Sequence, residues 1–319
     1  MANPDATLAG APLARETRPA RPRRSTKSRE RRRGRVGWLF IAPFALVFIV
    51  FLVAPLLYAF YLSLYTKGLA TGGVPVFSGI DNYVEAFTDP VFLGGLLFVI
   101  HFAVVLIPVQ MIISLAVALI LDAIVTRFSR FARLMIFLPY AVPAVIGALM
   151  WGFLYSPSFG PLQQLFGAGA PFPLSPDNVF YGLMNVVTWQ WAGYYMIIIY
   201  AALRGIDPTL YEAARIDGAN AWQVAWRIKV PMVASALVLI LVFALIGTLQ
   251  FFTEPSILAP VANGSITLGF TPNIYAFNQA FQYSNVNYAS ALSFALGIVV
   301  FIAVYIFLFA TRKRGSFLK

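Results

Sequence analysis

The chain has no cysteine and a single histidine, His101, in 319 residues. The first absence excludes a disulfide framework and any thiolate metal site; the second excludes a multi-histidine metal centre. Charge is scarce as well. Only 11% of the residues are charged and 60% are hydrophobic, whereas soluble domains carry about 25% charged and about 45–50% apolar residues. No glycine-rich phosphate cradle precedes a lysine and Ser/Thr, so the sequence offers no nucleotide site of its own. Its apolar stretches hold almost no ionisable residue apart from His101. Intramembrane charges mark ion relays, so their scarcity speaks against a stand-alone channel or ion-coupled carrier. A membrane-embedded enzyme acting on lipid would need clustered acids, histidines or metal ligands, and the sequence has no such cluster. No internal repeat is visible, so an inverted-repeat carrier gains no support.

What is present is length of apolar chain. A helix crossing hydrocarbon needs about 20 apolar residues, and six stretches qualify: Val36–Tyr65, Leu93–Leu121, Phe131–Tyr155, Val179–Leu203, Met232–Phe252 and Tyr288–Thr311. The expected fold class is an all-α membrane protein of six transmembrane helices. His101 is expected as a neutral residue satisfied inside the bundle, with a proton relay as the alternative. Prolines 43, 55, 108, 139 and 143 fall inside these stretches and are read as packing kinks or as hinges.

The net charge of +11 could suggest nucleic acid or anionic lipid as a partner. Its distribution points elsewhere. Residues 1–35 hold 11 Lys/Arg, the loop after the second stretch with Arg133 holds three, 204–231 holds four and the tail after Phe309 holds four; the remaining loops hold only Lys67. This alternation orients six spans with both termini cytoplasmic, and nucleic acid is not an expected partner. Residues 1–35 are expected as a disordered basic arm that can lie against anionic headgroups. They do not read as a cleavable signal peptide. Residues 36–315 form the expected membrane domain, and 316–319 a cytoplasmic tail. The remaining loops, rich in glycine and proline, read as surface loops; the longest runs from Thr253 to Asn287.

The connection 204–231 is the most structured polar segment. Asp207-Pro208 is a helix start, and Thr209 with Glu212 an alternative one. Ala213 and Ala214 favour helix, Asp217-Gly218 ends it, and Asn220 with Gln223 opens a second short helix. A helix–glycine–helix unit held between two spans suits force transfer. Its small alanines leave a face that a partner groove can approach closely.

The run Glu212-Ala213-Ala214, Asp217-Gly218-Ala219, Trp226, Ile228 and Val230-Pro231 resembles the EAA loop of permease subunits in binding-protein-dependent ABC importers. That pattern reads E-A-A, two residues, D-G-A, then F, two residues later I-x-L-P. Trp226 stands for phenylalanine, Val230 for leucine, and Ala234 where a second proline is common. Ile41-Ala42-Pro43, Leu138-Pro139-Tyr140 with Trp151, Gly247 to Phe252 and Tyr288 to Ala291 extend the resemblance over about residues 36–315, towards the maltose, lactose and glycerol-phosphate permeases. The resemblance implies a type I importer permease in a bacterial cytoplasmic membrane. Its implied partners are a second permease subunit (a heterodimer), two ATP-binding subunits and an extracytoplasmic solute-binding protein. ATP would be hydrolysed by the separate subunits, so this chain is expected neither to be an enzyme nor to hold a cofactor. Glu212, Ala213, Ala214, Asp217, Gly218 and Ala219 would couple to the ATPase.

Candidate pathway residues are Trp189, Gln190 and Tyr194 on the fourth stretch, with Trp191 and Tyr195 beside them. Thr248, Gln250 and Phe251 sit late in the fifth, and Ser290 and Ser293 in the sixth. Aromatic faces stack on sugar rings and amides bond hydroxyls, which suits a disaccharide or oligosaccharide. Interfacial anchoring is the other reading of the same aromatics. Glycerol phosphate or another small solute is the alternative cargo. Glu254 is either a gate or binding-protein contact or a plain loop charge.

Overall fold

A computed structural model describes residues 40–67, 73–123, 127–158, 160–161, 165 and 171–313. The basic arm 1–35 and the tail 316–319 lie outside these, as do 68–72, 162–164 and 166–170 in two of the expected loops. The chain divides into two units after Leu57. The first contributes residues 40–57, the larger part of helix α1 (Phe40–Ser63). Its apolar side chains, Phe40, Phe44 and Phe51 among them, are exposed. Within it, Ala54 N–H bonds the carbonyl of Ile49, five residues back, in a widened turn. Pro55 follows at once. A proline ring presses on the carbonyl four residues before it, and a widened preceding turn relieves that pressure.

In the second unit, two short antiparallel strands, β1 (Tyr65–Thr66) and β2 (Val76–Phe77), set Tyr65 opposite Phe77. Then come α2 (Asp81–Ala86), α3 (Pro90–Ala123), α4 (Arg127–Ala141), α5 (Ala144–Tyr155) and α6 (Val179–Arg204). After α6 follow α7 (Pro208–Ile216), α8 (Ala221–Val224), α9 (Ala234–Leu249), α10 (Thr253–Leu258), α11 (Pro272–Phe281) and α12 (Val286–Lys313).

Among the described residues, five helical runs are long and apolar enough to cross a membrane. The sixth expected crossing, Phe131–Tyr155, is not one straight helix: Phe128–Ala141 and Ala144–Tyr155 meet at 96°. The cause is local. Pro143 cannot donate a hydrogen bond, and a proline forces the residue before it out of helical geometry. Val142 N–H turns back to the Pro139 carbonyl at 3.1 Å, and α5 restarts after Pro143. Pro108, by contrast, is carried inside the single long helix α3.

Two apolar clusters hold the bundle. One joins α3, α5, α6, α10, α11 and α12 around Phe92, Phe102, Leu183, Leu258 and Leu292, all fully buried. The other joins the second halves of α3 and α6 to α9 around Met196, Ile199 and Ile240. In lipid such packing depends on close van der Waals fit and interhelical hydrogen bonds. Gln110 Nε2 donates to the Val187 carbonyl at 3.2 Å, and Ser114 Oγ to that of Ala192 at 2.9 Å, fastening α3 to α6. Between α4 and α6 the fit is closer still. A Cβ on Gly193 would lie 1.9 Å from the Ile136 carbonyl oxygen, so only glycine admits this backbone contact. The end of α1 is capped from a distance: Asn287 Nδ2 donates to the Leu62 carbonyl and Asn82 Nδ2 to that of Ser63, each at 2.9 Å.

The stretch Thr253–Asn287, expected as a surface loop, folds back into the core instead. Thr271 is fully buried. It caps α11 by accepting from Ile274 N–H, and its hydroxyl donates to the Phe251 carbonyl at 2.9 Å. Asp89, just before α3, gathers this end. Its carboxylate accepts from Val91 N–H at 2.8 Å, Tyr275 hydroxyl at 2.6 Å and Tyr288 hydroxyl at 2.9 Å. Burial alone would raise the Asp89 carboxyl, but these bonds outweigh it and hold it below the usual value. The Tyr275 hydroxyl is pushed up to about 12 by burial and by the same carboxylate. His101 lies on an exposed face of α3 with its ring 5.1 Å from that of Phe180. The expectation that it is satisfied inside the bundle is therefore corrected: its side chain is exposed.

Candidate functional site

The connection between α6 and α9 closes its own backbone hydrogen bonds. Asp207 caps α7: its carboxylate accepts from Thr209 N–H at 2.9 Å, and Pro208 takes the first helical position. Bonds from the Thr209 N–H and side chain hold the Asp207 carboxyl below its usual value. Of the two possible starts, Asp207-Pro208 is the one used. At the other end Ala219 N–H reaches the Ala214 carbonyl at 2.9 Å, and Gly218 N–H reaches that of Arg215 at 3.1 Å. Gly218 sits at φ +81°. This pair of bonds across a left-handed residue is the Schellman termination, and it explains why glycine follows Asp217. Asn220 and Gln223 then make both bonds of a capping box, at 2.9 and 2.8 Å.

A second widened turn follows, Ala225–Lys229, with Val230 N–H bonded to the Ala225 carbonyl just before Pro231. The grammar matches that in α1, where the widened turn also ends two residues before a proline.

With its backbone satisfied from within, the connection turns a mixed face outward. Glu212, Ala213, Arg215, Asp217 and Gly218 are exposed, and Ala214 and Ala219 are half-buried. Ile216 is 86% exposed and Trp222 71%, with Leu210 and Trp226 also open. The Trp222 and Trp226 rings pack edge to face at 5.4 Å. Apolar side chains this open on an otherwise polar element mark a contact surface for a protein or a membrane.

The eight pathway candidates fall into three places. Trp189, Gln190 and Tyr194 of α6 surround the bend between α4 and α5. Gln190 Nε2 donates to the Val142 carbonyl at the bend, at 3.2 Å, while its Oε1 is buried and unpartnered. Trp189 meets Trp151 edge to face at 5.8 Å, and Tyr194 stacks on Tyr140 at 4.3 Å. Thr248 and Phe251 are buried at the end of α9 and just beyond it, and Gln250 between them is exposed. Phe251 stacks on Phe102 at 5.1 Å, and the Gln250 carbonyl accepts from Asn273 at 2.8 Å. Ser290 and Ser293 return their hydroxyls to the carbonyls of Val286 and Ala289 on their own helix. An apolar depression of about 140 Å³ between α5 and α10, lined by Ala148, Gly152, Phe153 and Ile257, includes none of the eight.

Sequence reasoning missed the Trp151 indole as a polar group. Its Nε1–H is buried without a partner beside Trp189. The signal was the i, i+4 pair Trp151 and Tyr155, which puts both rings on one face of α5. Glu254, left open above, is 7% exposed in the first turn of α10, which is no ordinary loop position.

Residues 110–313 match the family model described as the binding-protein-dependent transport system inner membrane component. The chain belongs to this family. It is 31% identical over 284 residues to the lactose transport system permease protein LacF of Rhizobium radiobacter, covering 87% of this chain and 94% of that one. It is 25% identical to the trehalose transport system permease protein SugA of Mycobacterium tuberculosis, covering 88% and 91%. A solved bacterial ABC transporter involved in the import of the acidic polysaccharide alginate has the same fold, with TM-score 0.76 and 20% identity over 91% of this chain and 99% of that one. The chain is a permease subunit of an ABC importer, a multi-pass inner-membrane protein.

Proposed function

We propose that this permease forms half of a sugar pathway, with a second permease subunit as the other half, and that residues 212–219 receive an ATP-binding subunit. Both termini then lie in the cytoplasm, the side on which the Lys/Arg-rich segments accumulate. A separate binding protein delivers the solute from outside, and a pair of ATPase subunits supplies the energy. The observation that carries the coupling assignment is the outward face of the connection. Ile216, Trp222 and Trp226 are open on an element whose own residues cap both ends of α7 and the start of α8. A self-capped helix pair fixed between α6 and α9 passes a push to both as rigid bodies.

A disaccharide or oligosaccharide is the cargo favoured by the relatives named for lactose and trehalose. The aromatic and amide side chains around the bend favour the same class. Trp189 and Tyr194, half-buried, offer ring faces, and the buried, unpartnered Gln190 amide oxygen becomes an acceptor for a hydroxyl group when the bend opens.

The test of coupling is Gly218→Pro. It removes the N–H bonded to Arg215 and fixes φ near −65° where the turn needs +81°. Uptake in the complete transporter should fall to background while the chain still inserts in the membrane. Normal uptake by Gly218→Pro with its ATPase would overturn the assignment. For the cargo, calorimetric titration of the cognate binding protein with maltose, lactose, trehalose and glycerol 3-phosphate should show a sugar bound, with no heat from the phosphate ester.

A further inference from the structure

One charged pair is left over when the Lys/Arg pattern has been used for orientation. Lys229 stands at the unspecified place in Ile228-Lys229-Val230-Pro231. Its ammonium lies 2.6 Å from Asp122 Oδ2. Asp122 is at the end of α3, 107 residues away in sequence. The two side chains are 14% and 7% exposed. Exposed ion pairs contribute little, but a shielded pair behaves differently, because removing one partner strands the other charge away from water.

A third element joins them. The Lys229 ammonium sits over the Tyr211 ring of α7, 5.0 Å from its centre. The Tyr211 hydroxyl is buried without a hydrogen-bond partner. Burial pushes that hydroxyl up, the Asp122 charge adds to the effect, and the Arg204 charge opposes it. The widened turn Ala225–Lys229 sets the phase at which Lys229 leaves its helix, and widened turns of this kind concentrate at functional positions. Chain continuity already links the connection to α6 and α9. The pair adds a link to α3, which the chain itself does not provide.

We propose that Asp122, Lys229 and Tyr211 form a clamp that makes the connection and α3 move as one body. A push received at α7 would then reach α3 without passing through α6 or α9. Asp122 and Lys229 are positioning residues, touching neither nucleotide nor solute. The inference rests on the coupling assignment above, and the experiment separates the two.

The cysteine-free chain permits direct labelling. Ile120→Cys near the end of α3 and Arg227→Cys beside Lys229 carry nitroxide labels in the assembled transporter, with the second permease and the ATPase present. Label distances are measured with and without Mg²⁺ and an ATP analogue that resists hydrolysis. The native pair should give one distance that nucleotide does not change. Lys229→Met should give a second population on adding nucleotide, displaced by about 5 Å, one helical turn. Lys229→Arg should keep the single distance, and Asp122→Lys combined with Lys229→Asp should restore it. A Lys229→Met distribution identical to the native one would overturn the clamp. So would a reversed pair that assembles and still separates. The coupling assignment is read independently by ATPase co-purification with Ile216→Glu. Retention of the ATPase there sinks that assignment, and its loss supports it.

Discussion

Single residues decide two contacts that the sequence presents only as composition. Gly193 is one of 23 glycines, and nothing in its neighbourhood sets it apart. In the fold it is where α4 and α6 touch backbone to backbone. Gly193→Ala should destabilise the chain by the usual cost of overpacking, about 1–3 kcal/mol, seen as a lower melting temperature in detergent. Gly297→Ala on α12, where an added Cβ meets open space, should melt like the native chain. Asp89 makes a different prediction. Its folded carboxyl is held below the ordinary value, so its contribution is complete above the unfolded pKa, about 3.9. It is lost as pH falls through the depressed folded value. The difference in melting temperature between the native chain and Asp89→Asn should be constant at neutral pH and close only below that ordinary value. A gap independent of pH throughout would remove Asp89 as a charged anchor. Asp89-Pro90 and Asp207-Pro208 share one signature, but only the second was read as a helix start. The first caps Val91 N–H just as locally and was as legible; what only the fold supplies is its two tyrosine partners from far along the chain.

At the scale of elements, local chemistry was the most legible part. Asp207, Gly218, Asn220 and Gln223 each act within a few residues of themselves, so spacing alone exposes the helix–glycine–helix unit. Asn220→Ala should cost about 1 kcal/mol, the usual value of a lost cap, and reduce uptake partly, where Gly218→Pro abolishes it. Equal uptake in the two variants would mean that the turn geometry does not matter. The prolines were less legible. Pro108 passes through a continuous helix, whereas Val142-Pro143 turns the chain by 96°. Proline alone does not distinguish the outcomes. What differs is that Pro139 and Pro143 stand four residues apart at the bend, where Gln190 of α6 also takes the Val142 carbonyl, whereas α3 carries Pro108 as its one interior proline. Pro143→Ala should let α4 and α5 rejoin and withdraw that carbonyl from Gln190. Measured as uptake in the complete transporter, transport should fall even though the substitution favours helix.

For the whole molecule, the count and approximate position of apolar runs were visible because hydrocarbon imposes a length on each. The packing of Thr253–Asn287 was not visible, since Thr271, Asn273, Tyr275 and Asn287 find partners at Phe251, Gln250, Asp89 and Leu62, outside their own local sequence. The pathway candidates show the same limit. Composition selected aromatic and amide residues, and the fold sorted them into three places, with two serines turned onto their own helix. The purified chain alone should hydrolyse no ATP, and its reconstitution without the other subunits should give no uptake of labelled maltose or lactose. Turnover or uptake by the isolated chain would require a different class of protein.

Both ends of α7 and the start of α8 are tied off by their own residues, and that has an evolutionary consequence. A plug whose shape is fixed from within can exchange its outward side chains without refolding. On the proposed coupling role, substitutions at Ile216, Trp222 or Trp226 should therefore re-specify which motor the permease accepts while the lipid-facing remainder stays unaltered.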